Sequence, residues 1–153
     1  MTATIKECSM VDLEGEPNFQ ELLDEYAIEA GCAGMPKPNA DIETYKKMEL
    51  MGFLKCIGAF DGGKLIGFLT LVTTNMPHYK AQMSTSESYF VTKEHRGSGA
   101  GDQLRRAGER LAEGLGSIGI LMSARIGSGL EVVLGLSGYG AVNKTYFKRL
   151  GNV

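Results

Sequence analysis

The sequence predicts a single α/β domain of the α+β kind, with elements in the order β-α-α-β-β-β-α-β-α-β. Three observations carry this. Two apolar runs, Phe53 to Phe60 and Leu65 to Val72, are joined by Asp61-Gly62-Gly63-Lys64, residues that suit a short hairpin loop. A further strand run ends in Glu87-Ser88-Tyr89-Phe90-Val91, and a glycine-rich stretch follows it. Behind the glycines, Leu104, Ala107, Leu111 and Leu115 recur at helical spacing.

The chain begins with a strand over Thr4 to Met10, Ile5 being its clearest apolar position. Gly15-Glu16-Pro17-Asn18 is a turn and helix-start signal, and Phe19, Leu22, Leu23, Tyr26, Ala27 and Ala30 then form one helical stripe. Gly31, Gly34, Pro36 and Pro38 end that helix in an irregular loop. Asn39 or Asp41 can cap a second helix through about Met51, with Ile42, Tyr45 and Met48 inward. The hairpin follows, then a polar connection from Thr73 to Lys80 containing Pro77 and His78. After the glycine stretch and its helix, Ser117 to Ala124 reads as a buried-type strand and Leu130 to Leu136 as a short apolar helix closed by Gly138-Tyr139. Val142 to Leu150 reads as a last strand.

A chain of 153 residues is one domain, residues 1–153, long enough to bury a core. Its net charge of −2 offers no general attraction to nucleic acid. No run approaches the apolar length of a membrane span, and Met1 to Lys6 lacks the apolar centre of a signal peptide. Cys8, Cys32 and Cys56 are odd in number and lack metal-ligand spacing, which suits reduced thiols in a cytoplasmic compartment and predicts no metal. Residues 11–30 hold seven acids (Asp12, Glu14, Glu16, Glu21, Asp24, Glu25, Glu29) and no Lys or Arg. They are either a solvated helix face or the border of an entry for a cationic molecule.

Chemistry concentrates at Arg96-Gly97-Ser98-Gly99-Ala100-Gly101. Glycine gives access to positive φ and lets the main chain approach a ligand closely. A strand, a glycine loop and a helix start bring free N–H groups and the positive end of the helix dipole together, a site for phosphate or pyrophosphate. A Walker loop would place a lysine after the last glycine, where Asp102 and Gln103 stand, so hydrolysis of a nucleotide phosphate is disfavoured. A dinucleotide fingerprint would need its third glycine at Asp102.

The spacing present, Arg-x-x-Gly-x-Gly preceded by the extended Val91, resembles the acyl-CoA pyrophosphate loop of the GCN5-related N-acetyltransferases. The element order is similar to that family over nearly the whole chain, and Gly138-Tyr139 sits where the family usually has Gly-Phe. The ending Tyr146-Phe147-Lys148-Arg149-Leu150, with His78-Tyr79 before the central strand, is similar to members carried by bacteriophages. The resemblance implies a mixed, mostly antiparallel sheet of six to seven strands flanked by four helices. It implies acetyl transfer from acetyl-CoA to an amine, either a small molecule or a protein, and is compatible with a homodimer. Main chain near Phe90 or Val91 would hold the pantetheine arm, and the amides of Gly97, Ser98, Gly99, Ala100 and Gly101 the pyrophosphate. Arg96 would add charge or brace the loop.

Such a transfer needs a base for the acceptor proton. Glu87 is the first candidate: period two places it on the Val91 face of its strand, unless a bulge reverses it. A rim carboxylate or salt-bridge partner is the plainer reading of the same residue. His78 is the second candidate, by its ordinary pKa; His95 reads as a surface residue. The family's thiolate-protonating tyrosine, four residues before Gly-Phe, falls on Leu134, and its helix-start asparagine on Gly127. Ser128 or Tyr139 would have to substitute. These departures keep a second function open: a CoA-binding module of weakened catalysis acting as a regulatory or structural interaction domain.

Overall fold

The computed structural model describes residues 2–151. Five strands form one sheet in sequential order: β1 (Thr4–Cys8), β2 (Leu54–Asp61), β3 (Lys64–Met76), β4 (Ala81–Val91) and β5 (Ile120–Leu121). The first four are antiparallel to their neighbours and β5 runs parallel to β4. Helices α1 (Met10–Glu14), α2 (Phe19–Glu29) and α3 (Ile42–Leu50) cover one face, α4 (Ala100–Gly114) the other, and α5 (Gly129–Leu136) follows β5.

The central strand β3 is buried on both sides from Leu65 to Leu71, as a strand covered on both faces must be. Phe68 and Phe90 point to the α1–α3 face, where Met10, Leu13, Phe19 and Leu22 pack on them and on Leu54. Leu69, Leu71 and Val91 point the other way, under Ala100 and Leu104 of α4. Gly108 brings α4 close to the sheet: a Cβ there would lie 2.5 Å from Cδ2 of Leu69. The predicted stripes hold. Leu104 is buried with Ala107 and Leu111 against the same cluster, while Ile42, Tyr45 and Met48 of α3 lie against the other.

Four boundaries differ from expectation. The first strand ends at Cys8, because Ser9 and Asp12 form a reciprocal capping box that starts α1. The polar connection shrinks to a turn at Pro77–Lys80, since β3 continues to Met76 opposite Ala81. Of the strand expected over Ser117 to Ala124, Ile120 and Leu121 form the ladder with β4, and Ile118 and Gly119 before them exchange single main-chain bonds with Gln82 and Ser84. The strand expected over Val142 to Leu150 is absent: these residues have no ladder partner and are held by side chains, Phe147 against Gly34 and Arg149 Nη1 donating to the Gly34 carbonyl at 3.1 Å. With β5 reduced to two residues, the sheet offers that segment no edge of useful length. The sheet therefore has five strands among the described residues, fewer than the six to seven expected, and α1 makes five helices where four were expected.

Among the described residues no helix is long and apolar enough to cross a membrane, and no group of His, Cys, Asp or Glu could hold a metal ion. The cysteines are free thiols; Cys8 and Cys56 face each other across β1 and β2, and burial pushes the Cys56 thiol up to about 12.

Candidate active site

The glycine stretch closes a turn between β4 and α4. A single 3-10 turn at Lys93–His95 precedes it. Gly97 and Gly99 then take φ of +82° and +90°, and Gly99 is the N-cap of the 15-residue α4. Only glycine enters that region without strain. A Cβ on either residue would meet nothing within 4 Å, so the loop stands in front of open space. The first amides of a helix have no intrahelical acceptor. Here the Ala100 amide donates to the Ser98 hydroxyl and the Ser98 amide to the His95 carbonyl, both at 3.4 Å, while the helix dipole behind the turn favours negative charge in front of it.

Arg96 does not reach into that space. Its Nε donates to the Val91 carbonyl at 3.0 Å, its Nη1 to Glu29 at 2.9 Å, and its Nη2 to the second Glu29 oxygen; the guanidinium also lies 5.5 Å from the Phe90 ring. Of the two roles open to it, these contacts describe the brace. Glu25 accepts from the Lys93 amide at 2.7 Å. Two of the acids on α2 thus hold the approach to the glycine turn, a use of the acidic run that neither sequence reading contained. Arg125 adds a third tie by donating to the carbonyls of Glu29 and Gly31. Ser98 turns its hydroxyl back to the His95 carbonyl at 2.6 Å. His95 is only 17% exposed at its side chain, bonded to Thr92 and paired with Asp61, so it belongs to the turn rather than to the free surface.

Beside the turn, β4 continues past its short pairing with β5. Only Ser84 and Thr85 face β5, at Ile120 and Leu121. Beyond that point Ser123 N–H reaches the Ser86 hydroxyl, and the strands separate. The β4 edge from Glu87 through Phe90 to Val91 has no strand beside it on that side among the described residues. Tyr89 seals the corner: half-buried, its phenol pushed up to about 12 by desolvation, it donates to the Gly101 carbonyl in the first turn of α4.

Glu87 is not on the Val91 face. Thr70 pairs with Ser88 and Leu71 with Ser86, leaving Glu87 as the extra residue of a β-bulge. The bulge shifts the alternation by one, and the carboxylate emerges on the α2–α3 side. There the Tyr45 hydroxyl of α3 donates to it at 3.1 Å. Burial and the neighbouring carboxylate raise the Tyr45 phenol above its ordinary range. A narrow slot of about 30 Å³ opens next to the pair, lined by Leu23, Tyr26, Ile42, Tyr45, Phe68 and Ser88. The wider cavity, about 70 Å³ near Glu21, Glu94 and His95, lies behind the turn, away from Glu87.

The other predicted residues are elsewhere. His78 sits exposed in the β3–β4 turn, stacked edge-on against Tyr79. The eleven residues from Ala81 to Val91 put it roughly 30 Å from the glycine turn. Ser128 caps α5 by accepting from the Glu131 amide. Tyr139 donates to Glu109 on α4 at 2.9 Å, with its phenol pushed up to about 12 by burial and by that carboxylate. The same Glu109 receives Arg105, which also holds Asp102. Leu134 is 7% exposed and packed inward.

Residues 19–126 match the model of the acetyltransferase (GNAT) family. No curated protein matches the chain. Solved structures of similar fold include a ribosomal-protein-alanine N-acetyltransferase from Brucella melitensis biovar Abortus 2308, 18% identical with a TM-score of 0.72 over 97% of this chain and 100% of that one. An aminoglycoside acetyltransferase from an uncultured soil metagenomic sample is 14% identical, with a TM-score of 0.71 over 99% and 96%. A transcriptional regulator from Bacillus halodurans C-125 is 20% identical, with a TM-score of 0.74 over 97% and 100%. With the family's model matched from α2 to beyond β5 and the glycine turn at the head of α4, the chain belongs to the acetyltransferase (GNAT) family and is an N-acetyltransferase.

Proposed function

We propose that this chain transfers an acetyl group from acetyl-CoA to an amine. The observation that carries the reading is the positive-φ turn at Gly97 and Gly99, open in front and backed by α4, beside a strand edge that β5 leaves free. The amides of residues 97–101 would hold the pyrophosphate, and main chain at Phe90 and Val91 the pantetheine arm. When bound, acetyl-CoA supplies an already activated thioester, so that positioning accounts for much of the rate. The acceptor nitrogen bonds to the carbonyl carbon as the carbon–sulfur bond breaks and CoA leaves. A lysine-like amine has a pKa near 10.4, so freeing its lone pair near pH 7 costs roughly 4–5 kcal/mol. Glu87 would take that proton, directly or through water.

The acceptor can be a small amine, an aminoglycoside-like compound, or a protein lysine or N-terminus. The free cysteines support a reducing, cytoplasmic setting. A second reading, a CoA-binding module without turnover, is favoured by Leu134 in the tyrosine position and by the engagement of Tyr139 with Glu109. The test is calorimetry with acetyl-CoA, followed by CoA-thiol release over a panel of polyamines, aminoglycosides and lysine-rich peptides. Binding with turnover is the expected result. Binding without turnover on any amine selects the second reading, and no binding rejects both.

A further inference from the structure

We infer that Tyr45 is a positioning residue: from α3 its hydroxyl holds the Glu87 carboxylate on the α2–α3 side of the sheet, beside the slot that the Tyr45 ring lines. The inference rests on the reading of Glu87 as the base.

The β-bulge alone does not fix the carboxylate. It brings Glu87 out on the α2–α3 side, but an exposed glutamate keeps its rotamer freedom, and a base must sit within hydrogen-bond reach of the proton it takes. Among the described residues the Tyr45 hydroxyl is the one group that hydrogen-bonds this carboxylate, at 3.1 Å and across 42 residues of sequence. Its ring has little freedom. It packs against the core of the α1–α3 face and lines the slot with Tyr26 and Ile42. The phenol stays protonated through any working pH, so it acts as a donor and not as a rival charge.

The helix that carries Tyr45 is itself anchored. Asp41 caps it by accepting from the Thr44 amide at 3.1 Å. Glu49 receives the Met10 amide on both oxygens, at 3.1 and 3.0 Å, and Lys46 pairs with Glu14 at 3.1 Å. These ties join α3 to α1, whose Met10 and Leu13 are buried on the sheet. The hydroxyl is therefore presented from a fixed support. Only one of the two carboxylate oxygens is engaged by Tyr45, which leaves the other for water or an acceptor N–H.

The test is a double-mutant cycle on Tyr45→Phe and Glu87→Gln, with acetyl-CoA and either spermidine or a lysine-rich peptide, read by thiol release. Glu87→Gln should lose on the order of 10²–10⁴ in kcat. Tyr45→Phe should lose about tenfold, the scale of one hydrogen bond to a charged group, with KM for acetyl-CoA within about twofold of wild type. The double variant should be no slower than Glu87→Gln alone. Equal slowing by Tyr45→Phe in both backgrounds, or none in either, overturns the role of Tyr45 while Glu87 stands. A Glu87→Gln enzyme at full speed overturns the base itself, and the purpose of Tyr45 with it. Should neither acceptor be used, a crystal structure of Tyr45→Phe decides: the Glu87 carboxylate should leave its place beside α3, and a carboxylate that stays there contradicts the proposal.

Discussion

The two faces of the sheet carry the two halves of the proposed site, and they are built from different material. On the α4 side the proposed anion cradle is main chain: two positive-φ glycines, the start of a helix, and a strand edge left open by β5. On the α1–α3 face the candidate base is a side chain, aimed by a bulge and held by a tyrosine from a helix far away in sequence. A main-chain site tolerates changes in most side chains and fails when φ is forced. A side-chain site fails when one functional group is removed, and it can be rebuilt for another acceptor without disturbing the cradle. The contrast explains how one fold, with structures under 25% identical, can serve proteins named for a ribosomal-protein alanine and for aminoglycosides.

The sharpest way to separate the faces is Glu87→Gln. It should lower the rate on the order of 10²–10⁴ while leaving affinity for CoA unchanged. The loss should shrink as pH rises toward the acceptor's own pKa, because the free amine then forms without help. Rates equal to wild type across pH 6–9 would remove Glu87 from the chemistry. Next in size is the scaffold of the α4 face. Leu104 of α4 is fully buried against the sheet, so Leu104→Ala should cost about 2–5 kcal/mol of stability in urea unfolding. A cost under 1 kcal/mol would mean that α4 is not held by this core.

Smaller effects test the brace. Arg96 and Glu29 are each more than a third exposed, so breaking the pair should cost at most about 1 kcal/mol. Arg96→Ala and Glu29→Gln should therefore give similar small drops in Tm and CoA affinity reduced by less than about fivefold. A hundredfold loss in Arg96→Ala alone would make Arg96 a direct phosphate ligand. Smallest of all, His78→Ala should change the rate by less than about twofold, since the β3–β4 turn lies at the far end of the hairpin. A large effect would bring that turn into the acceptor site.

The cradle was legible in the sequence because it is local. Six consecutive residues, a strand before them and an apolar stripe behind them contain all of its physics, and Gly97 and Gly99 could not serve a core. The base was half legible. Alternation points Glu87 to the Val91 face, and only the pairing of Thr70 with Ser88 and Leu71 with Ser86 shows that one residue is extra. Nothing in residues 81–91 announces that register change, and nothing local ties Tyr45 to it. The acids of α2 were visible as a run, but their partners, the Lys93 amide and Arg96, lie about 70 residues on. The capping box at Ser9 and Asp12 overlaps the end of the strand expected over Thr4 to Met10. The final strand failed for a different reason. Strand composition needs an edge to pair with, and the brevity of β5 is a tertiary fact.

In the proposed function the main chain of the glycine turn binds the pyrophosphate of acetyl-CoA. The direct measurement is titration calorimetry of CoA against wild type and Gly99→Val. Valine at φ +90° is strained by its backbone rather than by neighbours, since a Cβ there meets nothing within 4 Å, so the turn must change shape while the core below it stays. CoA should bind the wild type and not Gly99→Val, with far-UV circular dichroism near wild type in both. Unchanged CoA affinity in a folded Gly99→Val protein would contradict that role of the turn.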